Sequence, residues 1–484
     1  PQQLEEAVRK GRWQVTVAIG NGPKIVAAWA GFRDHTYGAA LDVCSATIAV
    51  HLCYLTSGEV LASSGAMNPQ IRFGEDLMSR VSYGMMNPTG SQEMTQAVRE
   101  GMNALFVQIA SEAGIDRSLI MDVVFVCNPV MHHLLLGIDP VELGQAPFAL
   151  AVSSALDLLA PDLELTAINH RAGIYLLPCI AGHVGADCAA VALSEQPQKS
   201  EDMVLIVDVG TNAELLLGNK EKVVACSSPT GPAFEGAQIS SGQRAAPGAI
   251  ERVEIDPETK VARFKVIGCD LWSDDPEFEE QTRKSGVTGI CGSGIIEAVA
   301  EMFLAGVLSA DGKVRPHETI ASPRVAADDR TFAFVLHDGE QNIRVTQNDV
   351  RAIQLAKAAL HAGAVLLMEL FGVEKGDRIR LAGAFGADID VKYAMVLGLI
   401  PECDLQHVSS AGNAAGTGAR ITLLDKKSRG LVEEQVRKVE KIETAVEARF
   451  QEHFVSSMSI PNGGESTPDK QRKRRSRRGA RKAR

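Results

Sequence analysis

Two aspartates stand where a carboxylate could hold a magnesium ion beside phosphates. Asp208 ends the apolar run of 205-LIVDVGTNAELLLG-218, and Asp42 ends that of 40-ALDVCSATIAVHL-52. Each is followed at once by a short turn of small and hydroxyl residues and then by a second apolar strand. Phosphate binding needs backbone N–H groups pointing one way and small residues that let the backbone approach the anion. Gly210, Thr211 and Asn212 supply such a turn after Asp208; Ser45 and Thr47 are its counterparts after Asp42. Asp208 is placed to hold Mg²⁺, through water, next to the phosphates. Glu235 lies in the glycine-rich 231-GPAFEGA-237, where a carboxylate could orient water. Asp208, Asp42 and Glu235 are therefore the candidate catalytic carboxylates. A third glycine turn, 381-LAGAFG-386, suits close approach by an adenine–ribose through Gly383, Ala384 and Gly386.

The elements that must position these groups repeat. Residues 40–65 and 205–231 each read as an apolar strand, a turn, a second strand, a turn and a third strand ending in Ser-Ser. Helical spacing of Met94, Val98, Met102, Leu105 and Ile109 predicts a helix near 91–114. A strand at 121–129 stops at Asn-Pro. The stretches 174–195, 289–308 and 379–401 each run through a glycine turn into a helix, and helices are predicted at 348–372 and 410–424. Leu431, Val432, Val436, Val439, Ile442 and Val446 share one face of a predicted amphipathic helix over about 429–454. Strands alternating with helices imply α/β layering with mixed sheets.

Composition narrows the function classes. Hydrophobic content of 45% and charged content of 23% are those of a globular chain, and 484 residues call for two or three domains. Within 353-IQLAKAALHAGAVLLMELFG-372, Lys357, His361 and Glu369 argue for a core helix over a membrane span, so no membrane partner is expected. The chain has no signal-peptide pattern at its start, and its nine scattered cysteines include no C-x-x-C pair, which points to reduced thiols in a cytoplasmic setting. His132 and His133 are adjacent and cannot share a metal, and are expected to be one core and one surface residue. Cys291 is read as a packing cysteine.

Charge is uneven. Residues 469–484 hold ten Lys/Arg and one Asp, while the whole chain carries −11. The segment 463–484 is expected to be a disordered basic tail. It has no aromatic residue for base stacking, so nucleic acid is not expected as a partner beyond weak contacts of this tail.

The ordered segments 39-AALDVCSATIAVHL-52, 181-AGHVGADCAAVAL-193, 204-VLIVDVGTNAELLL-217, 381-LAGAFG-386 and 410-SAGNAAGTGA-419 resemble the two phosphate hairpins, adenosine turn and connecting helices of the acetate and sugar kinase, Hsp70 and actin superfamily. Tyr37-Gly38, 68-NPQIRFGEDLMSRV-81, 128-NPVMHHLLLGIDP-140, 230-TGPAFEGAQISSG-242, 289-GICGSGII-296 and 450-FQEHFVSSMSIP-461 are similar, more narrowly, to the reductive activators of corrinoid proteins, over about residues 12–462. The resemblance implies two RNase H-like lobes, an actin-like ATPase fold, around a nucleotide cleft. The expected division is a short N-terminal β segment (1–36), lobe I (37–198), lobe II with C-terminal helices (199–462) and the tail.

The resemblance also implies ATP and Mg²⁺ as cofactors and a corrinoid protein of a methyltransferase system as partner. ATP use would be coupled to returning Co(II) corrinoid to Co(I). A homodimer is left open. An iron–sulfur cluster is expected only on an upstream domain outside this chain. One departure from the family pattern stands out: where relatives have Asp-x-Gly-Thr-Thr, Cys44 occupies the place of the glycine, so its side chain would crowd a phosphate or change the turn. The alternatives are a small-molecule kinase of the same superfamily and a non-catalytic nucleotide-binding regulatory protein.

Overall fold

The computed structural model describes residues 2–20, 25–383, 386 and 389–462. The basic segment 463–484 and Ala384 lie outside the described residues. The described residues fall into two compact units. The first lies within Pro1–Ser200, Asn219–Ala225 and Asn413–Lys441, and the second within Glu201–Gly218, Cys226–Gly412 and Ile442–Arg484.

The same strand pattern occurs in two six-stranded sheets. In the first sheet the strands are β1 (Tyr37–Val43), β2 (Thr47–Tyr54), β3 (Val60–Met67), β4 (Ile120–Cys127), β5 (Leu156–Leu159) and β6 (Gly173–Leu176), in the order β3-β2-β1-β4-β6-β5. β1, β2 and β3 form an antiparallel meander, β4 lies parallel to β1, and β6 lies parallel to β4. The second sheet holds β7 (Val204–Val209), β8 (Ala213–Gly218), β9 (Val223–Ser228), β10 (Arg378–Ala382), β11 (Val408–Gly412) and β12 (Glu440–Ile442), in the order β11-β10-β7-β8-β9-β12. Here too the first strand pairs antiparallel with the second and parallel with the fourth, which in turn runs parallel to the fifth. A 3-2-1-4-5 order with this mixture of directions is the RNase H-like arrangement, present twice.

Burial explains why these runs are strands. β4 is buried at all but one of its positions, as expected of a central parallel strand covered on both faces. In the first unit the helix Gly90–Glu112 lays Met94, Val98, Met102, Leu105 and Ile109 onto the core with Leu41, Val43 and Phe125, the apolar set its spacing predicts. In β7 every residue is buried except Asp208, which is half-buried at the strand end.

Three expectations need correction. The N-terminal segment is more than β structure. A helix, Gln2–Lys10, precedes two strands, Val15–Ile19 and Ile25–Ala30, aided by Glu5–Arg9 and Glu6–Lys10 pairs one turn apart. The amphipathic helix expected over 429–454 is two helices, Lys426–Lys438 and Ala448–Ser456, separated by β12. Backbone pairing at an open sheet edge wins there over helical periodicity, and Leu431 and Val446 of the expected apolar face are exposed.

Residues 413–441, assigned from sequence to the second lobe, pack within the first unit. Helix α3 (Ala414–Leu424) crosses α1 (Ala186–Glu195) so closely that a Cβ on Gly418 would meet the Ala190 carbonyl at 2.1 Å. Arg429 pairs with Asp122 at 2.8 Å and covers the Tyr175 ring. The long helix α2 (Gln347–Phe371) is apolar enough to cross a membrane by length and composition, yet most of it is buried within the protein.

Candidate functional site

The second unit brings its predicted site residues together at the end of β7. Register pairs Asp208 with Glu214 across the β7–β8 hairpin, leaving a three-residue turn of Gly210, Thr211 and Asn212. Gly210 N–H closes the turn on Asn212 O at 3.1 Å. The Thr230 hydroxyl reaches both Gly210 O (3.2 Å) and Thr211 O (3.1 Å). In a trans peptide the carbonyl and the following N–H point opposite ways. Holding these two carbonyls against Thr230 therefore turns the Thr211 and Asn212 N–H groups away from it. Among the described residues neither N–H donates within the chain, so both are free for an anion. A Cβ on Gly210 would meet only Asn212 O, at 3.4 Å. The fold itself has room for a side chain there, and the bare glycine keeps the approach to the turn clear.

Glu235 closes on the same turn: the Thr211 hydroxyl donates to its Oε1 at 2.6 Å. The glycine turn expected to face adenosine arrives on β10, beside β7, where Ala382 is paired with Asp208. Gly383 sits at φ +91°, and a Cβ there would stand 2.5 Å from Asp208 Oδ1. At Gly386 a Cβ would collide with Ala382 O at 1.9 Å. Asp208, Gly210, Thr211, Asn212, Glu235, Gly383 and Gly386 thus converge on neighbouring strand ends and the Pro232–Glu235 turn.

The first unit repeats the strand-end aspartate with a different turn. Asp42 pairs with Ala49, so the β1–β2 turn has four residues, Cys44–Thr47, one more than its counterpart. Cys44, expected either to crowd a phosphate or to change the turn, sits in a turn that differs in length from that of the second hairpin. Cys44 is not among the residues at positive φ, and its thiol donates to Asp42 Oδ1 at 3.4 Å. The Ser45 hydroxyl is buried and accepts from Asn128 at 3.2 Å. The group Ser45 can present is therefore its N–H. Thr47, exposed, opens β2.

Two further residues shape this site. Burial lifts the Asp42 carboxyl to about 6, against the opposing hydrogen bonds from Cys44 and the Asn413 side chain. Asp187, in the first turn of α1, is raised as well, first by burial and then by the Asp42 charge. Neither Asp187 nor Asn413 was singled out from sequence. Asp187 follows Gly185 at the start of a glycine-led helix, and Asn413 caps α3 by accepting from Gly416 N–H at 2.7 Å. The sequence signals were a carboxylate in a first helical turn and an asparagine cap. Thr230 was likewise missed, at the head of the glycine-rich loop that carries Glu235.

Other candidates resolve more simply. His132 and His133 are both buried, correcting the expectation of one surface residue. The helix Pro129–Leu136 is enclosed almost all round, so adjacent positions both face protein. Cys291 is buried, with its thiol on Ile250 O at 3.2 Å. All nine cysteines are free, and among the described residues no three His, Cys, Asp or Glu side chains group as a metal site. These thiols do not fit an iron–sulfur cluster, which needs about four convergent ligands.

Duplicated RNase H-like sheets, each with a strand-end aspartate and a phosphate-type hairpin, define a nucleotide-binding protein of the acetate and sugar kinase, Hsp70 and actin class. Comparison with known proteins narrows this. Residues 202–471 match the family described as the C-terminal domain of RACo, the ASKHA domain, and residues 37–200 match the RACo middle region. The chain belongs to the RACo family. It is 35% identical over 431 residues to the corrinoid activation enzyme RamQ of Eubacterium limosum, covering 87% of this chain and 69% of that protein. It is 25% identical over 420 residues to the [Co(II) methylated amine-specific corrinoid protein] reductase of Methanosarcina barkeri, covering 83% and 73%. A solved reductive activator for corrinoid, iron–sulfur protein superposes with TM-score 0.84 at 32% identity, over 96% of this chain and 73% of that one.

Proposed function

We propose that this chain is the nucleotide-driven part of a reductive activator, coupling ATP use to the return of an inactivated Co(II) corrinoid to Co(I) on a methyltransferase-system partner. The observation that carries this reading is the β7–β8 turn, with free Thr211 and Asn212 N–H groups beside Asp208 and Glu235, in a chain whose relatives are named for corrinoid activation. The two N–H groups receive phosphate oxygens. Asp208 would hold Mg²⁺, which would neutralise phosphate charge, and Glu235, fixed by Thr211, would orient the attacking water. Gly383 and Gly386 admit the adenosine side by their lack of side chains. Asp42 and Asp187 form a second carboxylate pair at the first hairpin, where one of them would hold a proton beside the other's charge.

Bound ATP favours the conformation that docks the corrinoid protein, so its binding energy is spent on the unfavourable electron transfer. The electron enters from a redox centre that the cysteines of this chain do not build. Nine free thiols suit a reducing, cytoplasmic setting.

Isothermal titration of the intact chain with Mg²⁺-ATP tests the nucleotide site. Wild type should bind, and Asp208→Ala should lose most of the Mg²⁺-dependent affinity. Equal affinity in both would remove Asp208 from the site.

A further inference from the structure

The two hairpins differ in what draws their carbonyls inward. In the second, one neutral hydroxyl, Thr230, takes two of them. In the first, three consecutive carbonyls are taken by residues of the 68–81 segment. The Asn68 side-chain amide donates to Cys44 O at 2.9 Å, Arg80 Nη2 donates to Ser45 O, and Asn68 N–H donates to Ala46 O at 2.9 Å. By the same trans-peptide geometry the N–H groups of Ser45 and Ala46 are turned the other way. Among the described residues neither has an acceptor in the chain, although both residues are buried. Unpartnered donors on buried residues call for a partner from outside the chain.

Arg80 is itself unusual. It is fully buried, and its guanidinium also donates to Gly74 O (2.9 Å), Gln70 Oε1 (3.1 Å) and the Met131 sulfur (2.9 Å). All of these acceptors are neutral, and no carboxylate lies within ion-pair reach among the described residues. A buried charge of this kind is tolerated because dipoles solvate it, and its field is weakly screened. Burial lowers its pKa only to about 10, so it stays charged at neutral pH.

We infer that Arg80 and Asn68 are positioning residues for phosphate at the first hairpin: they aim the Ser45 and Ala46 N–H groups at the anion, and Arg80 adds a buried positive charge behind them. This rests on the proposed ATP-binding reading. It also makes 68-NPQIRFGEDLMSRV-81 a scaffold under the turn. Lysine cannot substitute at position 80, since an ammonium lacks the planar fork that reaches several acceptors at once.

The test compares Mg²⁺-ATP with adenosine. Intact wild type, Arg80→Lys and Asn68→Asp are titrated calorimetrically with each, and their melting temperatures are recorded. Asn68→Asp keeps the oxygen that accepts from Gln70 N–H at 3.0 Å but loses the donor to Cys44 O, and it carries the test if Arg80→Lys does not fold. The expected result is ATP affinity weakened roughly tenfold or more with adenosine affinity unchanged. ATP and adenosine weakened in parallel, or neither weakened, would overturn the inference. Wild type that binds ATP no better than adenosine would sink the phosphate reading and this inference with it.

Discussion

Gly383 passes so close to Asp208 that a methyl group on it would stand 2.5 Å from the carboxylate oxygen and 2.7 Å from Val209 O. The 381–386 glycine turn and the strand-end aspartate are thereby packed directly together in the second sheet. Gly383→Ala has to displace Asp208 and also strain a backbone at φ +91°. It should lower stability by about 1–3 kcal/mol and weaken Mg²⁺-ATP binding by a larger factor than adenosine binding. Calorimetry with both ligands checks this; a loss confined to adenosine would show that the glycine serves the base side alone.

Thr211 and Glu235 form a 2.6 Å hydrogen bond, so the turn proposed to receive phosphate also fixes the carboxylate. In Glu235→Gln the amide oxygen can still accept from Thr211, which keeps the geometry and removes the proposed base. ATP affinity should stay within a few-fold of wild type while turnover falls about a hundredfold. Phosphate-release kinetics decide it. Unimpaired turnover would reduce Glu235 to an anchor for Thr211.

Asp42 carries a pH signature. Its carboxyl, lifted to about 6 in the fold, titrates at about 4 in an unfolded chain. The native state holds the proton over that interval and the unfolded state does not, so stability falls as pH rises from about 4 to 6. Asp42→Asn, which mimics the protonated form, should be more stable than wild type by about 2 kcal/mol at pH 8, with the gain fading between pH 6 and 4. Its Mg²⁺-ATP binding should be weaker. Melting temperatures across pH 4–8 test the sign, and a gain that grows toward acid would contradict it.

Much of this was legible in the sequence because the signals were local. Strand-end aspartates, glycine turns and the helical spacing of Met94 to Ile109 depend on nearest neighbours, and each of these elements is present. What escaped depends on contacts between distant segments. No periodicity reveals that Thr230 faces Gly210 O, that Arg80 reaches Ser45 O, or that Asn413 closes on Asp42. The 429–454 helix failed for the same reason: whether Glu440–Ile442 pairs at a sheet edge is decided by another strand.

Cys44 opens a four-residue turn, one residue longer than the β7–β8 turn. Its backbone does not need glycine, and its thiol holds Asp42. Cys44→Gly should therefore leave ATP affinity unchanged or lower, and reduce stability by roughly 0.5–1 kcal/mol through backbone entropy. Tighter ATP binding in a fully folded Cys44→Gly protein would restore the crowding explanation.

Corrinoid activation is read most directly from cobalt itself. A Co(II) corrinoid protein is mixed with this chain and an electron donor that alone leaves the cobalt at Co(II), and absorbance is followed after ATP, ADP or buffer is added. Co(I) should accumulate with Mg²⁺-ATP only, and not with the Asp208→Ala protein. ATP hydrolysis by the wild-type chain with the cobalt remaining at Co(II) would contradict the proposed activity.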